Sequence, residues 1–398
     1  MDRLFQHFVS PGGDCFDSGV MRGLSEAELD QNGELLFALH TFVCWTGRKE
    51  MISRFWEKIV SVAEFPLKES FRHPAGLLCN RREYWERHSA HGIEDGCELA
   101  YQVFVVLGLE AASSLAAAVG EHRYARRWKE EAARLKHTVL HDPGFRLVDD
   151  RGFIKRRAVD GSVQETIQPS EASGLPGGVP LAEDFPHFLN PDASAALPVA
   201  FGFVPPESPE ARLTMNSLRQ LWNLDWDFGG YGRYHVSSEP DSPGAWPFPS
   251  LFIARAFLEM GEGTEVWRVL RWLDGMPGGR SGSWFEFYGD RKAPPFPQVG
   301  IPPWTWAELI LLCVRHIAGI RPSMDSLRIH PHWLPGLEKI KGSILLRDSR
   351  LSLDISPPGK SGWIFIVDGV IMPPGRRGIQ MTWGKRDIHV EAKPYERG

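Results

Sequence analysis

The stretch CELAYQVFVVLGLEAASSLAAAVGEHRYARRWKEEAARLKHTVL, residues 97–140, decides the fold class because it contains two helical patterns in direct succession. Apolar residues recur at helical spacing over 97–119 and again over 121–140. The joint Val119-Gly120-Glu121 is short, as in turns between antiparallel helices. This part of the sequence therefore predicts a helical hairpin.

Paired helical patterns separated by long loops rich in Gly and Pro extend over most of the chain. In one of them Pro247 and Pro249 must lie in the first helical turn, where proline is tolerated. This alternation excludes a parallel sheet and predicts a mainly α fold of roughly nine helices. Besides the hairpin, helices are expected at 33–46, 50–64, 191–200, 208–222, 245–261, 263–275 and 303–319.

The sequence pattern changes after Gly319-Ile320-Arg321-Pro322. Short segments rich in β-branched residues, bounded by turn residues, follow one another to the C-terminus. They predict a small antiparallel β segment that packs on the outer face or the far end of the helical part. We therefore expect a helical domain over 1–320 and a β-rich domain over 321–398.

Composition limits the classes of partner. The chain has 398 residues, 42% of them hydrophobic and 24% charged, which is typical of a globular protein. The formal net charge of −5 comes with no basic run and no acidic tail, which argues against nucleic acid or an anionic membrane as partner. No signal peptide and no apolar run of membrane-spanning length is evident. We expect a small neutral ligand.

The cysteines indicate a reducing compartment. They are odd in number, widely scattered and never spaced as CxxC. Three of them, Cys44, Cys97 and Cys313, fall in apolar stretches that are expected to be helical. We therefore expect reduced thiols in a cytoplasmic protein. The full set is Cys15, Cys44, Cys79, Cys97 and Cys313.

Two acids stand in tryptophan-rich loops: Glu86 within YWERH at 84–88 and Glu286 within SWFEFYGD at 283–290. Each loop precedes a long apolar helix, so both acids can lie at one mouth of a helical barrel. Glycosidic bond cleavage needs such a pair, because one carboxyl protonates the leaving oxygen while the other activates water or attacks the sugar. Indole rings suit the apolar faces of sugars. The sequence therefore predicts a glycosidase site.

The order of several segments resembles glycoside hydrolase family 15, the glucoamylase-like enzymes among the six-hairpin glycosidases. The resemblance covers Asp30 to Ile320 and rests on DQNGELLFAL at 30–39, YWE at 84–86, PDASAALP at 191–198, GGYGRY at 229–234, WFE at 284–286 and PWTWAE at 303–308. It implies an (α/α)6 barrel and an inverting mechanism. Glu86 would be the general acid and Glu286 the base.

The chain departs from this family in two ways. Family members have three further helices, and a substrate-binding Arg-Asp loop, before the segment that matches Asp30. The loop after Glu86 is also longer and more basic than usual. We therefore expect a barrel without its N-terminal helices, in which Leu35, Leu39, Phe42 and Val43 are exposed. Self-association or a partner chain would then complete the barrel.

The other candidate residues are polar or aromatic groups in the same loops. Asp95 is a reserve catalytic acid, although it and Glu94 are expected near the start of the 97–119 helix, where a structural role is favoured. His88 and His91 lack further ligands at suitable spacing, so neither a metal nor a cofactor is expected. Substrate contacts are expected from Trp85, Arg87, His88, Glu94, Asp225, Trp226, Tyr231, Arg233, Trp246, Trp284, Tyr288 and Trp304.

Two other functional classes remain open. A phosphorylase, or a hydrolase of a neighbouring family such as the rhamnosidases, would share the helical barrel. A phosphorylase would use a single protein acid and would need phosphate for cleavage. A non-catalytic sugar-binding or partner-binding protein, or an enzyme fragment, would bind sugar without turnover.

Overall fold

The computed structural model of the protein describes residues 1–16, 23–168, 187–224, 229–235, 244–288, 300–372, 378–384 and 387–396. A helical part is followed by a β part. The helices are α1 Asp2–His7, α2 Leu29–Thr46, α3 Glu50–Arg54, α4 Trp56–Glu64, α5 Leu99–Ala118, α6 His122–His141, α7 Leu197–Ala200, α8 Pro209–Leu218, α9 Pro247–Glu259, α10 Gly263–Gly275 and α11 Pro303–Ile310, which continues as the π-helix Leu311–Ile317.

The strands of the helical part form short two-stranded pairs, whereas those of the β part form two larger sheets. The strands are β1 Gly96–Glu98, β2 Val148–Asp149, β3 Gly152–Phe153, β4 Arg156–Ala158, β5 Thr166–Ile167, β6 His187–Phe188, β7 Ile320–Pro322, β8 Ser326–Ile329, β9 Ile340–Leu346, β10 Ser349–Ile355, β11 Trp363–Val367, β12 Val370–Ile371, β13 Ile379–Thr382 and β14 Asp387–Pro394.

Burial divides the helices into an inner and an outer row. Helices α5 and α9 are buried on almost every side, whereas α4, α6 and α10 bury one apolar stripe. Along the inner row α2 packs on α5, and α7 and α11 both pack on α9. Helices α4, α6, α8 and α10 follow successive inner helices and lie outside them. The predicted hairpin of α5 and α6 is confirmed.

Two glycines allow α2 and α5 to approach closely. A Cβ atom at Gly33 would lie 2.0 Å from the carbonyl oxygen of Phe104, and one at Gly108 would lie 2.4 Å from the Cα of Gly33. Only glycine fits at such distances. The glycine in the DQNGE motif is therefore explained by helix packing.

The helix starts follow the local sequence. Ser208 caps α8 by accepting a hydrogen bond from the backbone N–H of Ala211, and Pro209 occupies the first helical position. Pro247 likewise begins α9, with Pro249 in the same first turn, as predicted. The start of the inner helix α9 places Trp246 at its N-terminal end, directly before Pro247.

The β part differs from the expected antiparallel arrangement. Strand β14 lies between β10 and β11 and pairs parallel with β10, so the five-stranded sheet is mixed. This sheet has its own apolar core with Phe365 and Val390 at its centre. Arg347 donates hydrogen bonds to the carbonyl oxygens of Cys44 and Ser323. The β part therefore contacts the C-terminal end of α2.

The cysteine prediction is wrong in two respects. Cys79 and Cys97 form a disulfide, and Cys97 lies in β1 rather than in a helix. Cys313 is exposed, whereas Cys44 is buried as expected. Disulfides persist in oxidising compartments. The location of the protein stays a prediction.

The expectation that no apolar run is long enough to span a membrane is wrong for helix α5. An 18-residue window within Leu99–Ala118 has a mean hydropathy of 1.5, but 89% of that window is buried inside the protein. It is the one such helix in the described part of the chain. Its packing between α2 and α6 accounts for its composition, because a core helix is apolar all round.

The expected exposed face of α2 is largely covered. Leu39 and Val43 are buried, and Leu35 and Phe42 are partly buried against the core. Exposed apolar residues occur elsewhere, for example Leu345 and Ile371 in the β part, and one group of them lies on α11 and its continuation. Trp306, Ile310 and Cys313 are exposed at helical spacing, whereas the acidic Glu308 is buried. We call Trp306, Ile310 and Cys313 the α11 face.

We propose that the α11 face pairs with a second copy of the chain. Ile310 is 61% exposed, so Ile310→Glu should convert a dimer into a monomer without loss of melting temperature. Light scattering after size exclusion measures the mass. Leu213→Glu, at an exposed leucine of α8, is the matched control and should leave the dimer intact. A wild-type monomer at tens of micromolar would contradict this proposal.

Candidate active site

Glu86 lies in a tight turn between two backbone hydrogen bonds. The N–H of Glu83 donates to the carbonyl oxygen of Arg87, and the N–H of Glu86 donates to that of Glu83, both at 3.0 Å. Glu86 has φ 70°, in the left-handed region that a residue with a side chain rarely adopts. Residues held in such conformations cluster at functional sites. The turn leaves the Glu86 side chain exposed.

The arginines that might have neutralised Glu86 are engaged elsewhere. Arg82 forms an ion pair with Glu28, and Arg87 forms one with Glu83 at 3.2 Å. Over the ranges that the structure describes, the Glu86 carboxylate has no ion-pair partner. A surface salt bridge therefore does not explain this acid.

The fully buried Lys155 forms ion pairs beside the turn that contains Glu86. The Nζ atom of Lys155 lies 2.6 Å from Glu83 Oε2, 3.0 Å from Asp192 Oδ2 and 3.1 Å from Glu98 Oε1. The pairing of β4 with β1 brings Lys155 to this position, because the N–H of Leu99 donates to its carbonyl oxygen. We call Lys155, Glu83, Glu98 and Asp192 the lysine cluster.

The charges in the lysine cluster stabilise one another. Burial alone would raise the pKa of Glu83, but Lys155 and Arg87 hold that pKa well below its usual range. Burial alone would lower the pKa of Lys155, but the three carboxylates raise it above its usual range. Burial raises the pKa of Glu98. Lys155 is therefore charged and is the main electrostatic partner of the turn.

The same cluster orients Trp85, the neighbour of Glu86. The indole Nε1–H donates to both carboxylate oxygens of Asp192, at 3.0 and 3.1 Å. Asp192 also accepts a hydrogen bond from the N–H of Ser194 at 2.8 Å. The positions of Trp85 and Glu86 thus depend on one buried network.

Glu286 shares an electrostatic environment with Glu86. It lies in the loop between α10 and α11 and is partly buried. Burial raises the pKa of Glu286, the Arg233 cation lowers it, and the charge of Glu86 raises it. Acids far apart in the sequence therefore interact through space, with a cation beside Glu286.

Arg233 lies against an aromatic wall. Its guanidinium carbon is 3.9 Å from the centre of the Trp246 ring and 4.7 Å from that of Tyr234, and Nη2 donates to the Tyr234 hydroxyl at 2.7 Å. The Trp246 ring stacks on Phe287 with centres 5.0 Å apart. Trp246 directly precedes α9, so the wall lies at the N-terminal end of that helix.

Three residues expected to bind substrate are core residues instead. Trp284 is buried and donates its indole N–H to the carbonyl oxygen of Leu273 at 2.8 Å. The Tyr231 hydroxyl lies 3.3 Å from Glu265 on the outer helix α10, and the Tyr288 hydroxyl donates to the carbonyl oxygen of Pro277. These polar groups are satisfied away from Glu86 and Glu286. Sugar contacts by these three residues therefore stay a prediction that their burial in this structure does not support.

The other candidate residues of the loop that follows Glu86 form contacts of their own. Asp95 forms an ion pair with Arg81 at 2.8 Å, with its side chain 43% exposed, and Glu94 is exposed. Both acids precede α5, which begins at Leu99. Arg87 is buried and stacks on Tyr234 at 4.0 Å, so it supports the turn. His88 contacts the His91 ring.

Trp304 remains a candidate for sugar stacking. It lies in the first turn of α11 and is 40% exposed, so one face of its indole is accessible. The predictions for Asp225 and Trp226 concern residues outside the described part of the chain.

A group of acids lies deeper in the helical part. Burial and the charge of Glu28 raise the pKa of Glu34 to about 7, and burial raises the pKa of Asp30 well above its usual range. Their charges also act on Tyr84, next to Trp85. The interior behind the candidate site is therefore acidic.

Sequence reasoning missed the lysine cluster. Asp192 lies in a quoted motif, but its hydrogen bond to Trp85 spans 107 residues and carries no local signal. Lys155 lies in FIKRR at 153–157, an irregular stretch in which a lysine is ordinarily exposed. Only the antiparallel pairing of β1 with β4 brings it beneath the Glu86 turn.

Solved structures of glycosidases resemble this fold. A structure described as a sialidase superposes with a TM-score of 0.59 and 12% identity, covering 88% of this chain and 32% of that one. The family 78 rhamnosidase of Bacillus sp. GL1 superposes with a TM-score of 0.55 and 16% sequence identity, covering 84% of this chain and 32% of that one. A bacterial glucoamylase in complex with acarbose superposes with a TM-score of 0.51 and 16% sequence identity, covering 72% of this chain and 40% of that one.

These likenesses concern the fold. No protein-family model matches the chain, and no curated protein matches it. The chain spans 32% to 61% of the length of the glycosidase structures compared with it. The molecule has a helical fold of the kind found in glycosidases, followed by a β segment.

Proposed function

We propose that the protein is a glycoside hydrolase that cleaves O-glycosidic bonds with two carboxyl groups, Glu86 as general acid and Glu286 as general base. The observation that supports this most is the conformation of Glu86, whose exposed side chain is held in a left-handed turn without an ion-pair partner among the described residues. Glu286, in a different loop, is partly buried; burial raises its pKa, Arg233 lowers it, and the charge of Glu86 raises it.

The proposed reaction is a single displacement with inversion. The protonated carboxyl of Glu86 donates its proton to the glycosidic oxygen as the bond from that oxygen to the anomeric carbon breaks. Glu286 takes a proton from water, whose oxygen forms the new bond to the anomeric carbon from the opposite face. A pKa raised by burial makes Glu286 a stronger base once it is ionised.

The surroundings support sugar binding. Trp85 is partly buried next to Glu86, and Trp304 is 40% exposed, so both retain ring surface for a sugar. Trp246 is buried between Arg233 and Phe287. Arg233 can donate hydrogen bonds to sugar hydroxyls. Arg233 also offsets part of the negative charge when both carboxyls are ionised. We propose no metal and no cofactor for this reaction.

We further propose that the helical part is an (α/α)6 barrel. Within that class we propose the glucoamylase-like family as the more specific assignment. Inner helices α2, α5, α7, α9 and α11 and outer helices α4, α6, α8 and α10 support this arrangement. Likeness to a rhamnosidase that extends over the β part supports the wider six-hairpin group equally.

A panel of nitrophenyl glycosides tests the function. The panel includes α-glucoside, α-rhamnoside and sialoside, because the structural neighbours are described as acting in those classes. NMR of the first anomer released gives the stereochemistry, and inversion is expected. Cleavage only in the presence of phosphate would indicate a phosphorylase. Saturable sugar binding without turnover would indicate a binding protein, and retention would exclude the single displacement.

Trp304→Ala should weaken substrate binding more than it lowers stability, because the ring is partly exposed in the first turn of α11. We expect KM to rise roughly 5-fold or more, in line with about 1 kcal/mol for an aromatic contact, with little change in melting temperature. Trp284→Ala is the contrasting variant. It removes a buried ring and should lower the melting temperature by several degrees. An unchanged KM in Trp304→Ala would remove that ring from the site.

A further inference from the structure

A cavity of about 140 Å³ lies in the helical part, and neither Glu86 nor Glu286 lines it. It is bounded by the C-terminal halves of α2 and α9, the loop after α7 and the π-helix Leu311–Ile317. Three arginines line it: Arg255 from α9, Arg315 from the π-helix and Arg321 from β7. Glu259 and His316 complete its polar wall.

Two of the three arginines already have a carboxylate partner. Arg255 Nη2 lies 3.2 Å from Glu308 Oε1, in a buried pair. Arg321 Nη2 lies 2.6 Å from Glu259 Oε1, which also contacts His316 Nδ1. Burial alone would raise the pKa of Glu259, but His316, His332 and Arg321 hold that pKa well below its usual range. The carboxylates of Glu308 and Glu259 are therefore already paired with cationic or donor groups.

Arg315 is the exception. Throughout the described residues, no side chain or backbone oxygen forms a hydrogen bond or an ion pair with its guanidinium. Burial and the nearby charges of Arg321 and Arg255 lower the pKa of Arg315 to about 10, so its cation is destabilised where it lies. With three guanidinium groups against two carboxylates, the cavity carries an excess positive charge.

A further donor on the wall lacks a partner, because the buried Arg255 Nε donates no hydrogen bond. His316 is different, because its Nδ1–H donates to Glu259 and Nε2 of the neutral ring is an acceptor. A buried polar group left unsatisfied costs about 1–3 kcal/mol, so such groups usually have a partner. The unpaired N–H of Arg255, together with the unpaired guanidinium of Arg315, indicates a missing acceptor.

The backbone that carries two of these residues is itself unusual. The N–H of Ala318 donates to the carbonyl oxygen of Cys313 at 2.9 Å, the five-residue spacing of a π-helix. Such turns are rare and are often found at functional sites. Here the π-helix brings the consecutive residues Arg315 and His316 to the same cavity wall.

We propose that this cavity is a binding site for a phosphate group, held by Arg255, Arg315 and Arg321. Guanidinium groups present paired N–H donors that match the oxygens of a phosphate. The volume far exceeds the ~10–15 Å³ that one water needs. Arg321 keeps 24% of its side chain exposed, so the ion can reach the site from solvent. Free phosphate and the phosphate of a phosphorylated sugar share this chemistry.

The test is calorimetric titration of the full chain with sodium phosphate, at an ionic strength matched with sodium chloride. We expect saturable binding at one site and a rise in melting temperature that chloride does not reproduce. Arg315→Met should weaken binding at least about 10-fold, the effect of losing one charged hydrogen bond. It should fold normally, because no carboxylate loses its partner. Arg271→Met, at an exposed arginine of α10, should bind as the wild type does.

Titration with glucose 6-phosphate distinguishes the two sources. Equal affinity for both ligands would assign the site to the phosphate ion, and clearly tighter binding of the ester would assign it to a phosphorylated sugar. Equal phosphate affinity in wild type and Arg315→Met, or a chloride effect of the same size, would overturn the proposal. Binding is measured without turnover, so the result does not depend on the proposed hydrolase activity.

Discussion

Glu86→Gln and Glu286→Gln should each reduce kcat on an unactivated glycoside by about 10²–10⁴-fold, the usual contribution of one acid or base group. Glutamine keeps the size of the side chain but cannot transfer a proton. Neither acid has an ion-pair partner in the described residues, and Glu86 is exposed, so the melting temperature should stay within about 2 °C. Steady-state kinetics and thermal unfolding measure both effects.

A substrate with a good leaving group separates the two roles. A dinitrophenolate leaves without protonation, so Glu86→Gln should recover most of its activity on a dinitrophenyl glycoside, whereas Glu286→Gln should not. Azide should rescue only the variant that lacks the base. The reverse pattern would exchange the roles. Asp95→Asn, in the same loop, is the control and should keep wild-type turnover, since Asp95 pairs with Arg81 at the surface.

The pH profile of kcat/KM tests whether the two acids interact. Because the charge of Glu86 raises the pKa of Glu286, Glu86→Gln should shift the acidic limb to lower pH on the activated substrate. Arg233 lowers the same pKa, so Arg233→Met should shift that limb to higher pH. Identical acidic limbs in all three proteins would show that Glu286 does not set this limb.

The helical architecture could be read from the sequence because periodicity and turn residues are local signals. The hairpin of α5 and α6 and the prolines at the start of α9 lie where the pattern indicates. The parallel pairing of β14 with β10 could not be read in this way, because strand order depends on long-range contacts. The Cys79–Cys97 disulfide was missed for the same reason.

Residue type and loop position did not determine which aromatic side chains face the site. Trp284 stands two residues before Glu286, yet its indole N–H points to the backbone of α10. Tyr231 stands two residues before Arg233, yet its hydroxyl reaches Glu265. In each case an unsatisfied buried N–H or O–H would be costly, and the nearest acceptor lies on the outer layer. That acceptor is known only once the helices are packed.

Lys155 shows how strongly the candidate site depends on a residue with no local signal. Its ammonium group is the shared partner of Glu83, Glu98 and Asp192, all of them buried. Glu83 forms the Glu86 turn and Asp192 fixes Trp85. Loss of the lysine therefore affects the fold and the site together.

Lys155→Met should destabilise the protein by about 3–5 kcal/mol at pH 7, the cost of breaking a buried ion pair by removing one partner. Methionine fills much of the same space but removes the cation that three buried carboxylates share, leaving only Arg87 beside Glu83 and Arg156 beside Glu98. Urea unfolding measures the free energy of unfolding. Lys129→Met, at an exposed lysine of α6, should change it by less than about 0.5 kcal/mol.

The pH dependence of the destabilisation by Lys155→Met shows whether lost charge or lost packing causes it. In the wild type the pKa of Glu83 is lowered, so the stability it contributes is present above its unfolded pKa of about 4.3 and is lost as the pH falls through the folded pKa. Without Lys155, burial is opposed by Arg87 alone, so the pKa of Glu83 rises above its wild-type value and the carboxyl takes up a proton at higher pH. The difference between wild type and Lys155→Met should therefore be smaller at pH 4 than at pH 7. An equal difference at both values would point to lost packing rather than to charge.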